Sequence, residues 1–271
     1  MARIAVAATA PFGADVLERL ASRHEVVTVL TRPDAPRGRG RKIDATPAKR
    51  VAERLGIRVL QPARLEGDVD VDGGVHSSRV DAVVVAAYGL LIPDAPLARN
   101  LWLNVHPSLL PRWRGAAPVE RAIMAGDAET GVTIHRTVKE LDAGPVAAQR
   151  AFPIAVDDDA GVVFGRAAGL AVELLDDVLG DPSFTPQPAD GVTYAEKITA
   201  ADRELDFTRP AIELHNRVRA LSPHIGARGI VDGHRLIVWR TRVADDRLEL
   251  VEVQPEGRRR MAYAEFLRGV R

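Results

Sequence analysis

The chain has 271 residues, 37 Lys and Arg against 37 Asp and Glu, no cysteine, 46% hydrophobic residues and 4% aromatic. That length allows one large domain or one medium domain with a small appendage, and the lack of cysteine excludes disulfides, thiolate metal sites and a cysteine nucleophile. Apolar runs such as Val83–Ala87 fall far short of the ~18 residues needed to span a bilayer, and the first 14 residues carry no leader pattern, so a soluble, cytoplasmic protein is expected. Zero net charge argues against a polyanionic partner only if the two signs are mixed along the chain.

Arg3–Thr9 reads as a strand, and Gly13–Ser22 as a helix with Val16, Leu17 and Leu20 on one stripe. Glu25–Thr31 is a second strand. Thr46–Gly56 carries the marks of a helix, with Thr46 as cap, Pro47 at the first position and a terminal glycine. Ile57–Leu60, Val80–Ala86 and Leu101–Val105 read as strands, and the unalternating Val83–Val85 triplet suits a strand covered on both faces. Val119–Ala125 is an expected helix, Val132–Val138 and Val146–Ile154 are expected strands, and Gly161–Leu179 is a long amphipathic helix. This alternation predicts an open, mostly parallel α/β sheet ending near residue 180.

Gly180–Gly191, with Pro182, Pro186 and Pro188, reads as a linker. Beyond it lies a small β-rich unit, with a helix at Pro210–Ala220, strands within Gly229–Val243 and Leu248–Val253, and a last helix at Ala262–Leu267. The expected division is a first domain over 1–180, a linker over 181–203 and a second domain over 204–271.

The most informative stretch is Asn104-Val105-His106-Pro107-Ser108 at a strand end, where ligands gather in open α/β sheets. Strand alternation puts Asn104 and His106 on one side, where an amide and an imidazole can donate to one developing oxyanion. Asp142 follows the strand Val132–Val138 in the turn Glu140–Gly144. If the two turns adjoin, its carboxylate orients His106 and favours the charged imidazole. Taken alone, such an Asn and His more often satisfy loop carbonyls, and Asp before Ala-Gly is most often a turn residue.

Leu103–Pro111 (LNVHPSLLP) and Leu141–Gly144 (LDAG) resemble the formyltransferases that use 10-formyltetrahydrofolate. Arg112–Ile134 resembles the branch of that family acting on methionyl-tRNA, as do Thr31–Lys42, Ala87–Pro93, Thr193–Lys197 and Val253–Gly257. The resemblance implies a Rossmann-like formyltransferase fold with a small OB-like second domain, and an active site of Asn104, His106 and Asp142 that needs no metal. It also implies 10-formyltetrahydrofolate as cosubstrate, held by a wall of Tyr88, Gly89, Leu90, Ser108, Leu109, Leu110 and Pro111. The implied acceptor is the α-amino group of initiator methionyl-tRNA, with no obligate protein partner evident. A small amine, such as glycinamide ribonucleotide or an amino-sugar nucleotide, is the alternative acceptor, and a non-catalytic RNA-binding module the alternative role.

Arg32–Arg64 holds ten basic and three acidic residues, enough to neutralise several phosphates. Its centre, Pro36–Lys42, alternates Gly with Arg and reads as a loop; in the resembled family this insertion reaches the acceptor end of tRNA, which assigns Arg37, Arg39, Arg41 and Lys42 to that contact. Arg258–Arg260, Arg268 and Arg271 form a second basic patch, while Glu66–Asp94 and Asp157–Asp190 are acidic, so charge is segregated. Three features depart from the family: Ala8–Phe12 replaces its usual Gly-Thr-Pro, and His135 with Asp142–Pro145 looks closer to the glycinamide ribonucleotide branch. The short turn Ala244–Arg247 replaces several strand residues of its second domain.

Overall fold

Alternating strands and helices build the central sheet of this computed structural model, which describes residues 1–37, 42–65, 71–72 and 79–270. In chain order the elements are β1 (Arg3–Ala8), α1 (Pro11–Ala21), β2 (Glu25–Leu30), β3 (Ala35–Arg37), β4 (Lys42–Asp44), α2 (Pro47–Arg54), β5 (Arg58–Leu60), β6 (Ala82–Ala86), α3 (Asp94–Arg99) and β7 (Trp102–His106). Then come β8 (Arg114–Gly115), α4 (Pro118–Ala125), β9 (Glu129–Arg136), β10 (Val146–Pro153), α5 (Ala160–Val178) and β11 (Tyr194–Ala195). The last are α6 (Ala211–Leu221), β12 (Ala227–Val231), β13 (His234–Ala244), β14 (Arg247–Pro255), β15 (Met261–Ala262) and α7 (Tyr263–Val270).

Seven strands form the main sheet in the order β10-β9-β7-β6-β1-β2-β5. The pairs β5–β2, β2–β1, β1–β6 and β6–β7 are parallel, and β7–β9 is antiparallel. From β1 the chain winds outward through β2 and β5, then returns to β6 and winds the other way. The switch point of this sheet is therefore the β1/β6 boundary, where ligands bind in such folds. Every residue of β6 is buried, which explains its unbroken apolar run. Packing of α1 against β6 is close enough that a Cβ on Gly13 would lie 2.2 Å from the Ala86 carbonyl oxygen, a contact that only glycine permits. The capping expected of α2 is present, with the Thr46 hydroxyl accepting from Lys49 N at 3.1 Å and Pro47 at the first turn.

Two segments differ from expectation. Ala35–Arg37 and Lys42–Asp44 pair as an antiparallel hairpin, with Pro36 opposite Ile43, where the sequence reads as a loop; Gly-Arg composition masks the extended flanks. The Gly180–Gly191 segment is irregular but tied down: Thr185 exchanges two backbone hydrogen bonds with Val146 at 2.8 and 2.9 Å.

The chain divides into two compact units. One comprises Met1–Arg114, Gly131–Arg150 and Gly165–Val192, and the other Gly115–Thr130, Ala151–Phe164 and Thr193–Arg271. In the second, β12-β13-β14-β15 form a four-stranded antiparallel sheet whose apolar face packs on α6 through Leu214, Val218, Leu236, Val238 and Val253. The Ala244–Arg247 turn is a two-residue hairpin loop, with Asp245 and Asp246 both at positive φ, 49° and 56°. That conformation matches the twist of the long strands it joins. Arg219 on α6 is buried and donates to the carbonyls of Ala155 and Asp158, which ties the Ala155–Asp158 segment to that helix. Among the described residues no helix is long and apolar enough to cross a membrane.

Candidate active site

Asn104 and His106 occupy alternate positions on β7, the last parallel strand on this side of the switch point. Across the antiparallel ladder, Asn104 faces His135 and His106 faces Thr133 on β9, so Asn104, His106 and His135 share one face of the sheet. β9 ends beside the start of β7, where Thr137 N donates to the Trp102 carbonyl at 2.8 Å. The chain then doubles back, and the loop before β10 returns Asp142 to that face. The Asp142 carboxylate reaches both residues: Oδ1 accepts from Asn104 Nδ2 at 3.2 Å, and Oδ2 stands 3.6 Å from His106 Nδ1. The three residues singled out from the sequence are thus brought together, though by a returning loop rather than by adjoining strand-end turns.

The hydrogen bonds fix the state of each group. His106 Nε2 lies 2.8 Å from the Trp113 carbonyl oxygen; since a carbonyl only accepts, that nitrogen carries a proton. In the neutral ring Nδ1 is then a bare acceptor facing Asp142. His135 Nδ1 likewise donates to the Arg136 carbonyl at 3.0 Å, leaving Nε2 to accept from Asn104 Nδ2 at 3.0 Å. Asn104 therefore directs its amide protons to His135 and Asp142. Burial, reinforced by the neighbouring His106, pushes the His135 pKa down to about 4, against the opposing pull of Asp142. His135 is consequently neutral at pH 7, as its acceptor role requires.

The turn that carries Asp142 is strained. Asp142 has φ +46°, and two other non-glycine residues on loops following strands of this sheet, Ala87 (+46°) and Trp113 (+64°), are also left-handed. Each such residue costs on the order of 1–3 kcal/mol and persists only where its surroundings hold it. Gly144 makes the turn possible, because a Cβ there would sit 1.8 Å from the Arg136 carbonyl oxygen. Behind the turn, Gln187 donates to the carbonyls of Asp142 and Gly144, both at 2.8 Å.

The remaining candidate residues fall into two groups. Ser108, Leu109, Leu110 and Pro111 form a braced wall: Leu110 N donates to Thr133 Oγ1 at 3.1 Å, Thr133 Oγ1 donates to the Ser108 carbonyl at 2.7 Å, and Gln149 Nε2 donates to the Leu110 carbonyl at 2.9 Å. Ser108 is fully buried, with its hydroxyl donating to the Arg112 carbonyl. Tyr88 lies in the core beside Leu65, Val71 and Ile92, 2% exposed, and burial pushes its hydroxyl up to about 12. Its side chain is therefore not part of an open wall. By contrast, Leu91 is 79% exposed, Gly89 is left-handed with the Arg32 side chain 4.0 Å from its Cβ position, and among the described residues no backbone–backbone hydrogen bond involves Leu90 or Leu91.

Arg37 and Lys42 lie opposite each other at the end of the β3–β4 hairpin; Arg39 and Arg41 lie outside the described residues. Within the same basic segment Lys49 pairs with Asp34 at 2.6 Å, Arg50 with Asp44, and Arg54 with Glu18 at 2.9 Å. At least three of the ten cations thus have acidic partners within the fold. In the C-terminal patch, Arg260 stacks over Trp239 at 3.4 Å and donates to the Pro223 carbonyl, a structural role. Arg271 lies outside the described residues. His135, Arg114, Thr133, Gln149 and Gln187 support the site but carry no motif of their own; His135 alone stands out in the sequence, as a departure from the resembled family.

The family described as formyl transferase matches residues 2–179, and its C-terminal domain matches residues 197–247. The chain is 40% identical over 291 aligned positions to the methionyl-tRNA formyltransferase of Paracoccus denitrificans, covering 99% of this chain and 97% of that one. Among solved structures, the methionyl-tRNA formyltransferase of Clostridium thermocellum superposes with a TM-score of 0.64 at 13% identity, over 94% of this chain and 99% of the other. The N-formyltransferase of Helicobacter canadensis, solved in complex with folinic acid and dTDP-3-aminofucose, gives 0.66 at 16% identity, over 90% and 89%. Those two likenesses concern the fold, whereas the full-length identity to the Paracoccus enzyme concerns the family: the chain belongs to the methionyl-tRNA formyltransferase family of formyl transferases.

Proposed function

We propose that the protein transfers the formyl group of 10-formyltetrahydrofolate to the α-amino group of methionyl-tRNA, with initiator tRNA as the acceptor. The observation that carries this reading is the convergence of Asn104, His106 and Asp142 on one face of β7, in a chain that aligns over nearly its whole length with a methionyl-tRNA formyltransferase.

In the reaction, a bond forms between the acceptor nitrogen and the formyl carbon, and the bond from that carbon to N10 of the folate breaks. One proton leaves the acceptor nitrogen and one reaches N10. Charge builds on the formyl oxygen meanwhile. His106 in its charged form presents Nδ1–H to that oxygen while its Nε2–H stays on Trp113. Asp142 accepts the proton from the attacking amine, which must be neutral to act as nucleophile. As Asp142 takes that proton it becomes a weaker acceptor, and the Asn104 N–H it held at 3.2 Å is released toward the oxyanion. His135 retains the other amide proton and keeps Asn104 from rotating away.

The folate fits the strip Gly89–Leu91 beside the switch point. There the exposed Leu91 and the backbone groups of Leu90 and Leu91, which among the described residues make no backbone–backbone hydrogen bond, suit the flat, polar-edged pterin. Ser108–Pro111 forms the opposing wall through its apolar surface, since the Leu110 N–H and the Ser108 and Leu110 carbonyls are engaged internally. Arg37, Arg39, Arg41 and Lys42 contact phosphates at the acceptor end of the tRNA, and the domain over 204–271 gives a second, smaller tRNA contact.

The test is incubation with 10-formyltetrahydrofolate and either charged initiator tRNA or a panel of small amines, followed by mass spectrometry of every acceptor. Formyl-methionyl-tRNA is the expected product. Formylation of a small amine alone overturns the acceptor assignment, and formylation of nothing overturns the enzymatic reading.

A further inference from the structure

Gln187 lies in the proline-rich stretch that the sequence presents as a linker, yet its side-chain amide uses its full hydrogen-bonding capacity. Nε2 donates to the carbonyls of Asp142 and Gly144, both at 2.8 Å, and Oε1 accepts from Arg114 Nη2 at 2.6 Å and Nε at 3.1 Å. Two donors and two lone pairs are all an amide has. The two-pronged grip of Arg114 fixes which end of the amide faces the turn, because a guanidinium can only donate. Around it, the segment is stitched to the same strands: Thr185 pairs with Val146 in both directions, and the Arg136 guanidinium lies 4.2 Å over the Phe184 ring.

The two carbonyls that Gln187 holds belong to the left-handed Asp142 and to the glycine two residues on. The Asp142 carboxylate meets His106 at 3.6 Å, a separation at which a shift of one ångström makes or breaks the contact. We propose that Gln187 is a positioning residue of the transfer reaction: locked by Arg114, it clamps the Leu141–Gly144 turn so that the Asp142 carboxylate faces His106 and Asn104. This inference rests on the role given to Asp142 under the proposed function. Gln187 acts on the reacting groups through that backbone, and the segment expected to be a tether serves as a brace.

The experiment compares Gln187→Ala, Gln187→Glu, Asp142→Ala and the double variant Gln187→Ala/Asp142→Ala in steady-state formylation of methionyl-tRNA, with thermal unfolding of each. Gln187→Glu keeps the shape and the Arg114 contact but has no proton for either carbonyl, so it remains informative should Gln187→Ala fold poorly. The expected result is a fall in kcat of roughly tenfold to a hundredfold for both single Gln187 variants. KM for both substrates should stay within about twofold. Against an Asp142→Ala background, Gln187→Ala should cost less than about twofold more, because a residue acting only through Asp142 has nothing left to position. Unchanged kcat in Gln187→Glu overturns the inference, as does a loss that adds in full to that of Asp142→Ala, or one that appears only as raised KM. Wild-type protein that forms no formyl-methionyl-tRNA overturns the functional reading itself; active wild type with equally active variants overturns only the role of Gln187.

Discussion

Asn104 and His135 stand directly opposite each other on β7 and β9, and the Asn104 amide donates to His135 Nε2 at 3.0 Å. The bond exists only while His135 is neutral with its proton on Nδ1, since a charged ring would offer N–H against N–H. The orientation of Asn104 is therefore coupled to the protonation of a histidine that is 1% exposed.

This coupling sets a pH dependence of stability. With the folded pKa of His135 pushed down to about 4 and an unfolded value near 6.5, the unfolded chain binds the extra proton first on acidification. The stabilisation of the neutral ring is fully present above about pH 6.5 and is lost progressively as pH falls toward 4. Asp142, His106 and Arg114 are the ionisable groups that act on the ring. His135→Phe should remove this part of the slope between pH 4 and 6.5, while lowering stability at pH 7 because the Arg136 carbonyl and an Asn104 N–H lose a buried partner, at ~1–3 kcal/mol for each group. Thermal unfolding of both proteins across that range checks it, and parallel pH profiles would show that His135 contributes nothing to the slope.

Replacing His106 by Ala should lower kcat by about 10²–10⁴-fold, the range of a positioned acid–base group or oxyanion donor. His106 touches the Trp113 carbonyl and Asp142 rather than the Gly89–Leu91 strip, so equilibrium binding of tetrahydrofolate should be nearly unaffected. Calorimetric titration with that ligand, alongside turnover, separates the two quantities; near-normal turnover would remove His106 from the chemistry.

At Gly144 the obstacle is steric. Gly144→Ala would place a methyl carbon 1.8 Å from the Arg136 carbonyl oxygen and 2.9 Å from its carbon, so the Asp142 turn must move away from β9. The expected cost is about 1–3 kcal/mol or more, as for other overpacked sites, together with loss of most formyl transfer. Gly56→Ala is the control: its glycine also has positive φ, at 70°, but a Cβ there meets nothing within 4 Å, so only backbone strain is added and activity should persist. Tm and turnover measured for both variants distinguish local disruption at the site from general destabilisation.

What was legible in the sequence follows from which interactions are local. The placement of Asn104 and His106 on one face came from strand period, and the α2 cap from Thr46 and Pro47. The buried β6 was signalled by its unbroken valines. The opposition of Asn104 and His135 depends on the register between β7 and β9, which no local pattern encodes, although His135 did stand out as a departure. Gln187 was hidden because proline-rich composition reports the absence of helix and strand and says nothing of which side-chain amides find partners. Tyr88 carries the same ambiguity, since a tyrosine after a buried strand is equally a wall residue or, as here, a core residue.

The basic hairpin offers a prediction that separates phosphate binding from chemistry. Lys49, Arg50 and Arg54 pair with Asp34, Asp44 and Glu18, whereas Arg37, Arg39, Arg41 and Lys42 are the cations proposed to meet the tRNA backbone. Each phosphate neutralised steepens the fall of log binding with log salt by about 0.9 for duplex and about 0.7 for single strands. Arg39→Ala, and more strongly the combined substitution of Arg37, Arg39, Arg41 and Lys42, should raise KM for methionyl-tRNA and flatten its salt dependence by close to one such increment per contact. Turnover at saturating tRNA and the affinity for tetrahydrofolate should change little. Measuring KM for methionyl-tRNA between 50 and about 200 mM salt is decisive, because an identical salt slope in wild type and the fourfold variant would move the tRNA contact elsewhere.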